Sequence, residues 1–109
     1  MEDVTEDRVL VVDDLLGRAP VEAGRLGHHT VLKSPDVRIV VLAFEAGHLL
    51  KEHSAPKTLL MQALDGHLLV TVGGREVDLR PGMLIRVEAL ERHEVRAVED
   101  SRLMLTLVG

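Results

Sequence analysis

The chain has 109 residues, a length that suits one domain with a buried core of its own. It contains no Cys, which excludes disulfide bonds, zinc–thiolate sites and cysteine nucleophiles. Its formal net charge of -5 argues against a nucleic-acid partner, because polyphosphate is bound by clustered Lys and Arg.

The composition also predicts the character of the core. Phe44 is the only aromatic residue among Phe, Tyr and Trp, so the core and any pocket must be lined by aliphatic side chains. No apolar run is long enough to span a bilayer, and the acidic start, MEDVTEDR, does not have the pattern of a secretory signal. We therefore expect a cytoplasmic protein with no membrane partner.

The first segment in chain order is predicted to be an N-terminal arm. Residues 8–12 are β-prone and predict a strand, Asp13 is positioned to cap a helical turn over residues 13–17, and residues 18–27 predict a loop. We divide the single domain into an arm at residues 1–26 and a barrel at residues 27–109. The arm is expected to pack on a sheet edge or on a partner subunit.

From residue 27 onward, short β-prone runs alternate with Gly, Pro and Asp, which is typical of an all-β sandwich or barrel. Gly73-Gly74 predicts a hairpin, because both central residues of a type I′ turn need positive φ. The predicted strands cover residues 28–33, 37–44, 49–52, 59–64, 68–72, 75–79, 84–87, 93–98 and 102–108.

Two segments carry histidines at regular spacing. In the first, five residues separate Gly47 from His53, and six separate Leu59 from Gly66. In the second, which begins at Gly82, three residues separate His93 from Ala97. These spacings resemble the two signature motifs of the cupin superfamily. The first motif has His-x-His and a Glu between its glycines, and the second has Pro-x-Gly before its His and an Asn after it.

The resemblance implies a double-stranded β-helix, a jelly-roll barrel of the RmlC-like type, and for a small member a homodimer. It also implies a divalent metal (Zn, Fe, Mn or Ni) bound at four motif positions. In this chain those positions hold His53, Ala55, Leu59 and His93, of which only the two histidines can donate a lone pair. We therefore expect His53 and His93 to be metal ligands and the metal to be weakly held or absent.

Strand alternation extends the predicted ligand pocket to five residues. Met61 shares its strand parity with Leu59, whereas Gln62 points the opposite way. The predicted pocket therefore consists of His53, Ala55, Leu59, Met61 and His93.

The remaining motif positions and histidines are predicted to have no site role. His28, His29, His48 and His67 flank strand starts and turns, where a solvated side chain is the rule. Leu90 stands where the motif has Gly, and because leucine tolerates positive φ badly, we expect the loop before His93 to follow a different path.

Three functions are compatible with these residues. The first is binding or sensing of a small molecule in the barrel, with or without a weakly held metal. The second is a metal-dependent dioxygenase, isomerase or epimerase that uses His53, His93 and a nonstandard third ligand. The third is an interaction module whose dimer face is the function. Fold alone does not decide among them.

Overall fold

The computed structural model describes residues 8–109 as two antiparallel sheets that face each other in a jelly-roll barrel. One sheet has the strand order β1-β2-β9-β4-β7 and the other β3-β8-β5-β6. No helix within residues 8–109 is long and apolar enough to cross a bilayer. The strands are β1 Gly27–Lys33, β2 Val37–Phe44, β3 Leu49–His53, β4 Thr58–Asp65, β5 Leu68–Val72, β6 Arg75–Leu79, β7 Ile85–Val87, β8 His93–Ala97 and β9 Ser101–Val108.

The nine strands predicted from residue 27 onward are all present, and β2, β5 and β6 have the predicted bounds. Gly73 and Gly74 have φ values of 56° and 74°, which agree with the predicted type I′ turn. This turn joins β5 and β6 in register, with Val72 opposite Arg75. Local turn residues therefore account for the end of β5 and the start of β6.

The core lies between the two sheets and is almost entirely aliphatic. Alternate residues of β4, Leu59, Met61 and Ala63, are buried, and they pack with Val70 of β5 and Val95 of β8. Period-two burial of this kind is expected when one face of each strand contacts the opposite sheet. Phe44 is fully buried in the same core and approaches His48 edge-on, with ring centroids 6.3 Å apart.

The start of the arm differs from its prediction. Residues 8–12 form no strand, and Val9, Leu10 and Val11 are 78%, 63% and 79% exposed. β-propensity reflects packing on a neighbouring strand, and this segment has no neighbour within the described residues. The predicted strand is therefore wrong for the chain as it stands.

The residue that caps the following turn also lies one position later than predicted. Asp14, not Asp13, accepts the hydrogen bond from the Gly17 amide, at 3.1 Å from Oδ1. Asp13 instead forms an ion pair with Arg18. Asp14 has a φ of 50°, which an Asp can adopt at modest cost, and its carbonyl accepts a hydrogen bond from the Arg18 amide at 3.1 Å, so one turn closed by an i→i+4 hydrogen bond forms over residues 14–18.

The rest of the arm covers the outer face of the five-stranded sheet. Ala19 is fully buried against Val41 and Ala43, whose side chains point away from the barrel interior. Arg102 on β9 donates from Nε to the carbonyl of Ala19 at 2.7 Å and pairs through Nη1 with Asp65. This part of the arm therefore packs on a sheet face, whereas the sequence suggested a sheet edge or a partner subunit.

Candidate functional site

A cavity of about 190 Å³ opens to solvent at one end of the barrel, between the two sheets. Its floor is buried and aliphatic, and two histidines from the four-stranded sheet complete one side. The lining residues are Leu26, His28, Arg38, Val40, Leu42, Leu50, His53, Ala55, Leu59, His93, Leu105 and Leu107.

His53 and His93 lie side by side on this cavity. His53 ends β3 and His93 begins β8, and the two residues are opposite each other in the antiparallel ladder. Their rings are 4.3 Å apart between centroids and are inclined by 62°. Opposed positions on neighbouring strands put both side chains on one face of the sheet, so the ladder itself creates the pair.

Each ring is oriented by a backbone carbonyl. His53 Nδ1 lies 3.0 Å from the carbonyl oxygen of Lys51, and His93 Nδ1 lies 3.2 Å from that of Glu91. A neutral imidazole that donates from Nδ1 keeps its lone pair on Nε2. Neither Nε2 has a hydrogen-bond partner among residues 8–109, so both are available to a ligand.

The two histidines differ in depth. His93 is only 2% exposed, whereas His53 is half-buried. Burial lowers the pKa of His93 below its ordinary value; the hydrogen bond to the Glu91 carbonyl opposes this shift and the neighbouring His53 adds to it. At neutral pH His93 is therefore an uncharged acceptor on the cavity wall.

Three of the predicted pocket residues, Ala55, Leu59 and Met61, lie just before β4 or on it. Only two of the three are on the cavity wall. Ala55 and Leu59 line the cavity with the histidines. Met61 has the predicted parity with Leu59, but it is 1% exposed within the core and is not on the cavity wall. Its ladder partner is Leu105, while that of Leu59 is Leu107, so Met61 lies one step further along the barrel.

Two polar lining residues had no predicted role. His28 is exposed as predicted, but it also lies at the cavity rim. Arg38 is exposed at the same rim. Strand alternation could have identified Arg38. It precedes Val40 and Leu42 by two and four positions on β2, so its side chain lies on the same face of the strand as theirs, and that face enters the core.

The other histidines lie away from the cavity wall. His67 Nε2 contacts Asp78 Oδ1 at 2.8 Å between β5 and β6. His29 is on the outer side of β1, opposite Val41, and its Nε2 is buried with no hydrogen-bond partner.

The motif spacing, the jelly-roll topology and the paired histidines agree with the match to known proteins. A family model described as a cupin domain matches residues 40–109. The chain belongs to the cupin family. No curated protein matches it.

Solved cupin-like structures show the same fold. An RmlC-like cupin protein from Desulfovibrio desulfuricans is 24% identical with a TM-score of 0.82, over 92% of this chain and 97% of that one. A conserved protein of unknown function from Streptococcus pyogenes is 25% identical with a TM-score of 0.79, over 93% and 86%. KdgF from Halomonas sp. is 24% identical with a TM-score of 0.72, over 83% and 84%.

Cupin domains often bind a metal, and the donor set of this cupin decides how well one fits. His53 and His93 supply two imidazole nitrogens, while Ala55 and Leu59 supply only alkyl groups on the same wall. Within residues 8–109 no group of three or more His, Cys, Asp or Glu side chains comes together. Protein metal sites with catalytic function use about three protein ligands. The described residues therefore do not fit a complete cupin metal site.

The turn before His93 corrects the expectation drawn from Leu90. Leu90 adopts a φ of 71°, the conformation that the motif glycine would take. Its amide donates to the carbonyl of Ala55 at 2.7 Å, which ties the turn to the cavity wall. Leu90 therefore takes the positive φ that a leucine was expected to avoid. The hydrogen bond and the neighbouring strands hold the turn, and the chain accepts the strain of a left-handed leucine.

Proposed function

We propose that this cupin binds a small, mainly apolar molecule in the barrel cavity, with His53 and His93 as the polar end of the site, and that the same pair holds a divalent metal only weakly. The observation that supports the proposal is the pair of Nε2 atoms. The two histidines line an aliphatic cavity, their rings are held by backbone hydrogen bonds at Nδ1, and neither Nε2 has a hydrogen-bond partner within residues 8–109.

The wall chemistry supports an apolar ligand. Eight of the twelve lining residues are aliphatic, including the buried Val40, Leu42 and Leu59. Apolar walls with a few convergent polar groups are the usual composition of a small-molecule site. A sugar would leave most of its hydroxyl groups unpaired against such walls, which is unfavourable in a partly buried site.

The histidine pair defines what the ligand must offer. Because the pKa of His93 is lowered, its ring is uncharged near neutral pH, and its Nε2 can accept a hydrogen bond. A ligand with a hydroxyl, enol or amide donor at one end would satisfy this acceptor. The pair can therefore orient a ligand.

The metal-dependent enzyme is the weaker candidate because it needs a third donor at the histidine pair, and residues 8–109 bring none there. We also propose a homodimer, because residues 9–11 present a contiguous apolar segment to solvent. That arrangement supports dimerisation of a binding protein as readily as a separate interaction module.

The test is ligand-observed binding with a readout at the histidines. A fragment set is screened by thermal shift, and the hits are titrated while the ring resonances of His53 and His93 are followed by NMR. Ala55→Phe and, independently, Leu50→Phe fill the cavity and should abolish binding, whereas Ala23→Phe on the exposed part of the arm should leave it unchanged. Thermal unfolding verifies that each variant is folded.

The result that contradicts the proposal is equally specific. Hits that bind Ala55→Phe and Leu50→Phe as tightly as the unmodified protein, or that leave both histidine rings unperturbed, would place small-molecule binding elsewhere.

A further inference from the structure

Arg38 occupies an inward-facing position on the cavity wall. It lies on β2 with the parity of Val40 and Leu42, both of which enter the core. In the ladder Arg38 is opposite Leu107, and Leu107 is opposite Leu59. These three side chains therefore form one row across the five-stranded sheet, and all three line the cavity.

The guanidinium of Arg38 is largely unused by the protein. Its Nη2 lies 3.4 Å from the hydroxyl of Thr30, and no carboxylate within residues 8–109 forms an ion pair with it. A guanidinium has five N–H donors, so Arg38 retains most of its capacity for a ligand.

The cavity wall has the opposite charge balance to the whole chain. None of its twelve lining residues is Asp or Glu, although the chain contains 18 acidic residues and carries a net charge of -5. The remaining ionisable groups on the wall are His28, His53 and His93, which are neutral or positive. A ligand in this cavity therefore meets a positive end and no repelling carboxylate.

We propose that the ligand is a small monocarboxylate, whose carboxylate binds Arg38 at the cavity rim, whose apolar body extends along the aliphatic wall, and whose other end offers His53 and His93 a hydrogen-bond donor. This inference rests on the proposed function. Arginine binds a carboxylate through two parallel hydrogen bonds, and this geometry is more selective than a point charge. His28, exposed at the same rim, is placed to add a further hydrogen bond.

Charge favours a carboxylate over a phosphate ester, and the cavity volume sets the size of the molecule. A phosphomonoester carries nearly two negative charges at neutral pH, whereas the wall offers a single arginine. An apolar cavity of about 150 Å³ accommodates benzene, so this one suits a molecule on the order of eight non-hydrogen atoms. Hexanoate and benzoate have this size and shape.

The experiment compares isosteric probes of different charge. Hexanoate, 1-hexanol, hexylamine and hexyl phosphate are titrated separately by NMR, with the His53 and His93 rings as reporters. We expect hexanoate to bind about tenfold or more tightly than 1-hexanol, because a charge-assisted pair is stronger than a neutral contact. Arg38→Gln should remove that advantage and leave 1-hexanol within about twofold of its original affinity.

The matched control is Arg96→Gln, which changes an exposed arginine of β8 that does not line the cavity and should alter neither affinity. Equal affinity for hexanoate and 1-hexanol, or no effect of Arg38→Gln on hexanoate, overturns the carboxylate assignment while cavity binding stands. Tighter binding of hexyl phosphate also overturns it. If no probe perturbs either histidine ring, this proposal fails, and a parallel failure of the neutral fragment screen shows that the proposed function has failed too.

Discussion

His53 and His93 are cross-strand partners whose side chains meet at a ring separation of 4.3 Å. The backbone ladder fixes this relationship. The two other motif positions, Ala55 and Leu59, lie on the wall of the same cavity. The barrel therefore has the frame of a cupin site, with half of its donors replaced by alkyl groups.

The first prediction concerns metal affinity. The unmodified protein should bind Zn²⁺, Mn²⁺, Ni²⁺ or Fe²⁺ weakly, and Ala55→His with Leu59→Glu should restore tight binding, because the pair of substitutions completes a set of three imidazoles and a carboxylate. The gain is measured as metal-dependent thermal stabilisation. Leu59→Glu alone should destabilise the fold by about 1–3 kcal/mol, since Leu59 is 2% exposed.

The metal prediction has a direct counter-test. If elemental analysis of the unmodified protein shows one tightly held metal per chain after exposure to a chelator, the two-donor interpretation is wrong.

The second prediction concerns pH. The pKa of His93 is lowered in the folded chain, so the unfolded chain binds more protons below pH ~6.5. The lowered pKa of His93 therefore makes its full contribution to the free energy of unfolding above that pH. This contribution is lost, by at most about 1.4 kcal/mol per pH unit, as the pH falls toward the lowered pKa. The titratable or charged groups that surround His93 are His53, which is opposite it on β3, and His28 and Arg38, which line the same cavity.

The pH prediction is checked by urea unfolding of the unmodified protein and of His93→Gln between pH 5 and 8, on the order of the histidine titration range. The variant should show a shallower loss of stability on acidification. His67→Gln, which removes the histidine paired with Asp78, serves as the comparison. Parallel pH profiles for the unmodified protein and His93→Gln would contradict the assignment to His93.

The third prediction concerns the strained turn. Leu90→Gly should stabilise the fold by about 1 kcal/mol, because a left-handed conformation costs a leucine about 1–2 kcal/mol and glycine very little. Little apolar burial is lost, since Leu90 is 70% exposed. Chemical denaturation provides the measurement. Ala89→Gly, at the neighbouring position, should give no such gain, and a loss of stability in Leu90→Gly would refute the strain.

The fourth prediction is a homodimer. Val9, Leu10 and Val11 form an exposed apolar segment that a second copy can cover. Light scattering should give twice the chain mass at tens of micromolar, on the order of typical dimer affinities. Deletion of residues 1–12, and separately Leu10→Glu, should shift the mass toward the monomer. A monomeric mass for the unmodified protein would contradict the prediction.

Much of the barrel is predictable because its signals are local. Strand alternation and turn residues determine the strands, and motif spacing identifies His53 and His93 without any tertiary information. The arm is different, because residues 8–12 have strand propensity but no described neighbour, and Ala19 is buried by a sheet face that the sequence does not indicate.

The position of Arg38 on the cavity wall and the conformation of Leu90 were missed for another reason. An arginine on a strand is usually solvated, and its place on a cavity wall depends on which sheet face the partner strands close. The left-handed Leu90 is held by a hydrogen bond to Ala55, a residue 35 positions away in the sequence. Non-local contacts of this kind override intrinsic backbone preference.

The burial of Phe44 has a practical consequence for spectroscopy. It is the only Phe, Tyr or Trp in the chain, it is fully buried, and it is not on the cavity wall. The protein therefore contributes almost no near-ultraviolet absorbance or fluorescence of its own. A benzoate bound among chiral aliphatic side chains would give a circular dichroism signal in a spectral region where the protein contributes almost nothing. A single tryptophan introduced at the cavity rim would report on occupancy without other fluorescent residues.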